Sequence, residues 1–270
     1  MKPIFLDFET YWDVTHTLSR MSPTEYIQSP KTEIISVAIK EGVDGETYVL
    51  FGEDKIREHL QSMDWSNAMA IGHNMSGFDS MILAWRMGVN PKMYGCTAAM
   101  ARSQYSKTGC NVEGKFLIGV SLKKLAAEFG VGKKLDLEAT NTKGKYLKDF
   151  TPEELADMSE YNKVDTDLCA ELFTKLVKNF PKQELVIIDM TTRMLVEPKF
   201  VLDAKMVDAA LEEVKAEKAK GLNDLYNMLY SQTEQVVRAL EGGPDPEEFV
   251  RSTMASAAKF GELLATRGVA

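Results

Sequence analysis

The sequence has 270 residues, with 32 Lys and Arg against 40 Asp and Glu and a formal net charge of -8. This length allows one large domain or two modest ones with a sizeable core. The acidic balance argues against tight, non-specific binding to nucleic acid, because phosphate contacts require cations.

Cysteine and histidine positions argue against a structural metal site. The sequence has three cysteines and three histidines at no metal-ligand spacing: Cys96, Cys110, Cys169, His16, His59 and His73. We therefore expect neither a zinc site nor a disulfide framework, and we expect a reducing, cytoplasmic environment. We also expect no signal peptide, no membrane span and no membrane partner, because the sequence contains no long apolar run.

Short apolar or alternating runs predict strands in the first third of the chain. They lie at residues 3–8, 33–40, 46–51 and 68–72, separated by Gly, Pro, Ser and Asp. Helical spacing follows at residues 54–63 and 78–87, and SLKKLAAEFG begins with Ser121 as an N-cap and ends at Gly130. Because a sheet covered by helices buries these patterns, we predict an α/β domain over residues 1–180.

Helical patterns continue alone after residue 180. They cover residues 181–195, 204–231 and 245–266, with breaks at VEPKFVLD and EGGPDPEE. Gly and Pro in the second break exclude a continuous helix. We predict an all-helical extension over residues 181–270.

Two carboxylates stand one residue apart in the first predicted strand, IFLDFETYWD. Side chains alternate along a strand, so Asp7 and Glu9 point to one side while Phe8 points to the other. Two adjacent carboxylates repel each other, and a divalent cation relieves that repulsion. By itself the pair favours a solvent-facing strand edge over a metal site, because D-x-E occurs often by chance.

Two further segments carry acids that are able to join the pair. In HNMSGFDSMILAW, Asp79 begins an apolar run with helical spacing, where an acid also suits the helix dipole. In TPEELADMSEYNKVD, Thr151 and Glu154 predict a capping box, and Tyr161 and Asp165 lie one turn apart on one helix face. Asp157 and Asp167 on the same helix are alternative candidates.

These three segments together resemble a known family. D-x-E in LDFET, N-x3-F-D in HNMSGFD and Y-x3-D in YNKVD resemble, in order and separation, the three motifs of the DnaQ-like (DEDD) 3'→5' exonucleases, in their tyrosine subclass. The segments EYIQSPKTEIISVAI and PKFVLDAKMVDAALEEV are similar to parts of phage-type family A DNA polymerases. Palm and fingers motifs are missing, so the resemblance leaves open a separate exonuclease chain or a piece of a longer polymerase.

The resemblance implies a fold, a reaction and a metal site. The fold would be a ribonuclease H-like mixed sheet flanked by helices, with residues 1–180 as the exonuclease domain and 181–270 as the start of a family A polymerase domain. Asp7, Glu9 and Asp165 would hold one Mg2+ or Mn2+, and Asp7 would bridge to a second. Asp79 would assist through water. Two such cations suit carboxylate ligands and phosphodiester hydrolysis.

The resemblance also implies the remaining roles. Tyr161 would orient the attacking water, since an unperturbed phenol with a pKa near 10 is a poor base at neutral pH. The backbone from Phe8 to Thr10 would meet the terminal nucleotide, and Asn74 and Phe78 would contact its sugar or bases. Phe78 is equally consistent with helix core. The product would be a nucleoside 5'-monophosphate.

The expected partners are a single-stranded DNA 3' end and a polymerase domain in cis or in trans. For a phage-encoded protein the compartment would be the host cytoplasm. Lysines are concentrated between Ser121 and Lys148, at positions 123, 124, 133, 134, 143, 145 and 148, and either follow a phosphate backbone or form a solvated face. Two other functions stay open: an RNA 3'-end trimming nuclease of the same fold, and a non-catalytic adaptor acting through the C-terminal helices.

Overall fold

The protein is described by a computed structural model over residues 1–106, 119–135, 142–230, 234–235, 241–242, 245–266 and 268. The chain divides into two compact units, Met1–Lys199 and Phe200–Ala270. Cys110 and part of the lysine-rich stretch lie outside the described residues.

The first unit is built on a five-stranded mixed sheet. Its strands are β1 (Lys2–Thr10), β2 (Ile34–Glu41), β3 (Thr47–Phe51), β4 (Ala68–Gly72) and β5 (Met93–Cys96). The order across the sheet is β3-β2-β1-β4-β5, with β2 antiparallel to β1 and to β3 and the pairs β1–β4 and β4–β5 parallel. The central strand β1 buries Ile4, Phe5 and Leu6 completely.

Helices cover this sheet. They are α1 (Pro23–Gln28), α2 (Glu53–Ser62), α3 (Asp79–Met81), α4 (Thr97–Ala101), α5 (Leu122–Phe129), α6 (Pro152–Val177) and α7 (Lys182–Val196). Short 3-10 turns lie at Met75–Gly77 and Leu147–Asp149, and α3 and α4 continue as π-helical turns, Ile82–Arg86 and Arg102–Ser106. A mixed sheet of this order, with β2 reversed and helices around it, is a ribonuclease H-like α/β fold, as predicted from the sequence.

The four predicted strands, the helix predicted at residues 54–63 and the predicted boundaries of α5 and α6 are confirmed in this unit. The predicted capping box opens α6, where Thr151 Oγ1 accepts from Glu154 N and the Glu154 carboxylate accepts from Thr151 N. Gly130 ends α5 in the left-handed conformation, with a φ of 61°. Strand β5 was not predicted, because MYGC is short, contains a glycine and becomes a strand only by pairing with β4. The predicted helix at 78–87 is instead divided between α3 and its π-helical turn.

The first unit extends further than the predicted boundary near residue 180. Helix α7 is held to the sheet through Asp189, whose carboxylate accepts from Tyr94 N at 2.8 Å. Trp85 Nε1 donates to Val196 O at 3.0 Å. Helix α7 therefore belongs to the first unit, which extends to Lys199.

The second unit contains only helices and turns among its described residues. Helix α8 covers Ala204–Leu229, with Asp203 as its N-cap, and two shorter helices follow at Pro246–Met254 and Ala257–Thr266. The single helix expected over residues 245–266 is thus interrupted at Ala255 and Ser256. Tyr226, Tyr230, Phe249 and Val250 form a small core. No helix in the described part of the chain is long and apolar enough to cross a membrane.

Candidate active site

Strand β1 carries Asp7 and Glu9 beyond the end of its parallel neighbour. The pairing of β1 with β4 stops at Phe5, whereas the pairing with β2 continues to Thr10. Phe5 lies on the same side of the strand as the two carboxylates, and its ring meets Phe173 of α6 with a centroid distance of 5.7 Å. Asp7 and Glu9 are therefore partly buried between β1 and α6.

Asp79 reaches this place through the turn that follows β4. Asn74 adopts a left-handed conformation with a φ of 72°, which directs the chain into the 3-10 turn and then into α3. Asp79 is the first residue of α3 and is only 4% exposed. Its Oδ1 accepts a hydrogen bond from Phe8 N at 3.3 Å. The Asp79 carboxylate is thus hydrogen-bonded to the backbone of Phe8, the residue between Asp7 and Glu9.

Helix α6 contributes Asp165 and Tyr161 from the opposite side. Both residues are about 5% exposed and lie one turn apart, as predicted. Asn162 fixes the rotation of the helix, because its Nδ2 donates to Ser36 Oγ of β2 at 2.9 Å. Asp165 Oδ1 is buried without a hydrogen-bond partner in the described structure.

Asp7 and Glu9 are affected by the charges of the other acids. Burial raises the pKa of Asp7 well above its usual value, and the charges of Glu9, Asp79 and Asp165 raise it further. Burial and then Asp165 raise the pKa of Glu9 to about 7. Burial also raises the pKa of Asp79 to about 7, partly offset by the Phe8 amide, and raises that of Asp165. Acids from three separate segments thus act on Asp7 and Glu9 at one end of β1.

The Tyr161 phenol is kept neutral in this surrounding. Burial raises its pKa above the usual value, and the charges of Asp165 and Glu9 add to the effect. A phenol with a raised pKa cannot serve as a base near neutral pH. Its hydroxyl is suited to donate a hydrogen bond, and the positioning role of Tyr161 stays a prediction.

Lys134 is a member of the site that sequence reasoning did not single out. Its Nζ pairs with Asp165 Oδ2 and lies 4.9 Å from the centroid of the Tyr161 ring. The signal in the sequence was the lysine-rich stretch, but nothing in it distinguishes Lys134 from its neighbours. Lys145 of the same stretch pairs with Glu154 at the start of α6.

The predicted substrate-contacting residues surround the same strand end. Phe8 is buried in the core, so its backbone is the part that lies at the site. Thr10 Oγ1 is 2.9 Å from the Tyr26 hydroxyl, and Phe78 packs partly buried with its ring 5.9 Å from the Tyr26 ring. Asn74 is exposed. Their contact with a nucleotide stays a prediction.

The alternative candidates lie elsewhere or have structural partners. Asp167 accepts hydrogen bonds from Lys40 and Thr47, at 2.9 and 2.6 Å, and so joins α6 to β2 and β3. Asp157 is exposed on α6. Both nitrogens of His73 are bound, to Thr97 Oγ1 and Val120 O, and burial lowers its pKa to about 4. These residues are part of the scaffold rather than of the carboxylate cluster.

The carboxylates are not arranged as a finished metal site. Within the described ranges, no three Asp, Glu, His or Cys side chains are grouped closely enough to hold an ion directly. The donor set nevertheless fits a hard divalent cation, because it consists of carboxylates and includes the unpaired Asp165 Oδ1. The positive charge next to the Asp165 carboxylate is that of the Lys134 ammonium group.

Comparison with known proteins gives a structural likeness only. Neither the protein-family models nor the curated proteins compared with this sequence give a match. Among solved structures, the chain is similar to the family B DNA polymerase from the hyperthermophilic archaeon Pyrobaculum calidifontis, with a TM-score of 0.45 and 16% sequence identity over 65% of this chain. The match covers 24% of the polymerase, so this chain spans about a quarter of its length. The more specific resemblance to family A polymerases stays a prediction.

Proposed function

We propose that this protein is a metal-dependent 3'→5' exonuclease that removes nucleoside 5'-monophosphates from DNA 3' ends. The observation that supports this most is the convergence of Asp7, Glu9, Asp79 and Asp165 from β1, α3 and α6. Burial raises all four pKa values, and the charges of other acids of the set raise those of Asp7 and Glu9 further. Asp79 and Asp165 are buried and Asp7 and Glu9 are partly buried, and a stable protein rarely groups such acids without a cation to balance them.

The proposed cofactors are two Mg2+ or Mn2+ ions held by Asp7, Glu9, Asp79 and Asp165. When bound, such ions neutralise the charge of a phosphodiester and activate a water for attack on it. Carboxylate oxygens are ligands that both ions prefer. The unpaired Asp165 Oδ1 and the raised pKa of each acid support this assignment.

The remaining groups position the reactants. The Tyr161 hydroxyl, neutral because of its raised pKa, would hold the attacking water by a hydrogen bond. The hydrogen bond from Phe8 N orients Asp79 relative to β1. The terminal nucleotide would lie along the backbone from Phe8 to Thr10, next to Asn74 and Phe78.

A single-stranded 3' end is the proposed substrate, delivered by a polymerase domain in cis or in trans. The net charge of -8 argues for weak intrinsic affinity for DNA, so delivery by a partner would raise the local concentration of the 3' end. A family A polymerase is the proposed partner on the basis of the sequence motifs, and this activity would be of the proofreading type.

The test is digestion of 5'-labelled single-stranded DNA and RNA of one sequence, with Mg2+, Mn2+ or EDTA. The wild type should give a DNA ladder that shortens from the 3' end and requires metal. Asp7→Ala/Glu9→Ala should lose at least a thousandfold in rate, about 4 kcal/mol of transition-state stabilisation. Asp167→Asn is the matched control, because Asp167 lies on α6 but bonds Lys40 and Thr47.

Three results would contradict the proposal. They are an equal ladder from the double variant, a ladder that persists in EDTA, and loss of activity in Asp167→Asn comparable to that of the double variant. Faster digestion of the RNA than of the DNA would support the alternative function, RNA 3'-end trimming.

A further inference from the structure

The position of the Lys134 side chain is unusual for a surface lysine. Its Nζ pairs with Asp165 Oδ2, and the side chains are only 24% and 6% exposed, respectively. It also lies 4.9 Å from the Tyr161 ring centroid, where the ring face attracts a cation. The ammonium group thus contacts both α6 residues of the site at once.

The segment that carries Lys134 is held against α6. Gly130 ends α5 in the left-handed conformation, and Val131 is buried, with its N donating to Ala126 O at 3.0 Å. Gly132 has a φ of +137°, and a Cβ there would lie 2.8 Å from Leu168 Cδ2. Leu168 is close to Asp165 on α6, so this tight approach places the next residues beside the site.

The charge of Lys134 acts on more than its direct partner. It lowers the pKa of Asp7, Glu9 and Asp165, against the larger effect of burial, which raises all three. One ammonium group carries a single positive charge, whereas the surrounding acids carry up to four negative ones. Lys134 therefore compensates the cluster only in part, and it does so at a carboxylate that a divalent cation would also bind.

We propose that Lys134 is a positioning residue that holds Asp165 when no divalent cation is bound and competes with that cation for the Asp165 carboxylate. The proposal rests on the proposed metal site. A divalent cation entering the cluster displaces the Lys134 ammonium from Asp165 Oδ2, and the ammonium moves toward solvent through its partly exposed side. Lys134 thereby lowers metal affinity and stabilises the arrangement of α6 before metal binds.

The test measures Mn2+ affinity by isothermal titration calorimetry, with the melting temperature recorded in EDTA and in Mn2+. Lys134→Met removes the charge and keeps much of the side-chain volume, and should bind Mn2+ about tenfold more tightly, equivalent to about 1.4 kcal/mol. Its melting temperature should fall in EDTA and recover with Mn2+. Lys134→Arg keeps the charge, and Lys133→Met alters an exposed neighbour, so both should bind Mn2+ within about twofold of the wild type.

Mn2+ binding by Lys134→Met that is as tight as, or weaker than, that of the wild type would overturn the proposal. An equal fall of the melting temperature in EDTA and in Mn2+ would also overturn it, because a purely structural lysine would have that effect. Lys134→Gln gives the same test if the methionine variant does not fold. If the wild type degrades DNA and binds Mn2+ as tightly as Lys134→Met, only the role of Lys134 fails. If neither the wild type nor Lys134→Met binds Mn2+ and the wild type gives no ladder, the proposed function fails as well.

Discussion

The carboxylate cluster should make the metal-free protein less stable as the pH rises. Glu9 has its pKa raised from 4.5 to about 7, so between these values the unfolded chain has lost a proton that the folded protein keeps. The folded state then binds more protons than the unfolded state, and the free energy of unfolding falls with increasing pH. Well above pH 7, Glu9 is ionised in both the folded and the unfolded state, and the free energy of unfolding falls no further.

The size of the effect follows from the raised pKa. The rise from 4.5 to about 7 corresponds to about 3.5 kcal/mol at about 1.4 kcal/mol per pH unit, as an upper value because neighbouring acids share the effect. Glu9→Gln removes the charge, and in EDTA at pH 8 it should unfold at a temperature up to about 7 to 14 °C higher than the wild type. At pH 4.5 most of this gain should disappear.

This prediction is tested by thermal and urea unfolding in EDTA at pH 4.5, 6 and 8. Circular dichroism monitors the unfolding. Asp157→Asn is the matched control, since Asp157 is an exposed acid on α6 outside the cluster, and it should shift stability little at any pH. A Glu9→Gln variant that is no more stable than the wild type at pH 8 would refute the reasoning, and so would a gain of equal size at pH 4.5.

Three other substitutions test separate features. Tyr161→Phe should lower the nuclease rate about tenfold to a hundredfold with little change in metal affinity, measured by single-turnover digestion, and an unchanged rate would exclude the positioning role. Gly132→Ala should lower the free energy of unfolding by about 1 to 3 kcal/mol, because its φ of +137° is strained for a residue with a Cβ and the Leu168 side chain would have to move; urea unfolding that matches the wild type would contradict this. Glu53→Gln should cost about 1 to 3 kcal/mol, because Glu53 binds the Arg86 guanidinium through both oxygens, at 3.0 and 2.7 Å; an unchanged urea midpoint would count against that contact.

Much of the site was predictable because its signals are local. Strand alternation placed Asp7 and Glu9 on one side, and the capping box and helical spacing placed Tyr161 and Asp165 on one face of α6. Each of these patterns depends on the geometry of a single element. The same reasoning did not reveal Lys134, because the lysines around it are equivalent in sequence.

Other parts of the fold depend on contacts between distant segments. Strand β5 exists by pairing with β4, and α7 belongs to the first unit through the Tyr94–Asp189 hydrogen bond across 95 residues. Neither contact has a periodic signal. This explains why the sequence predicted neither β5 nor the packing of α7 in the first unit.

By itself, the sequence determined which acids are able to form a cluster and which secondary structures carry them, because alternation and helical spacing are fixed by the backbone. Tertiary packing alone decided that the Phe8 amide orients Asp79, that Asp165 Oδ1 is left without a partner and that Lys134 reaches Asp165 Oδ2. These features depend on how α6 and the segment after α5 lie against β1. Burial there turns four ordinary acids into groups with raised pKa values, and that change is the physical basis of the proposed metal site.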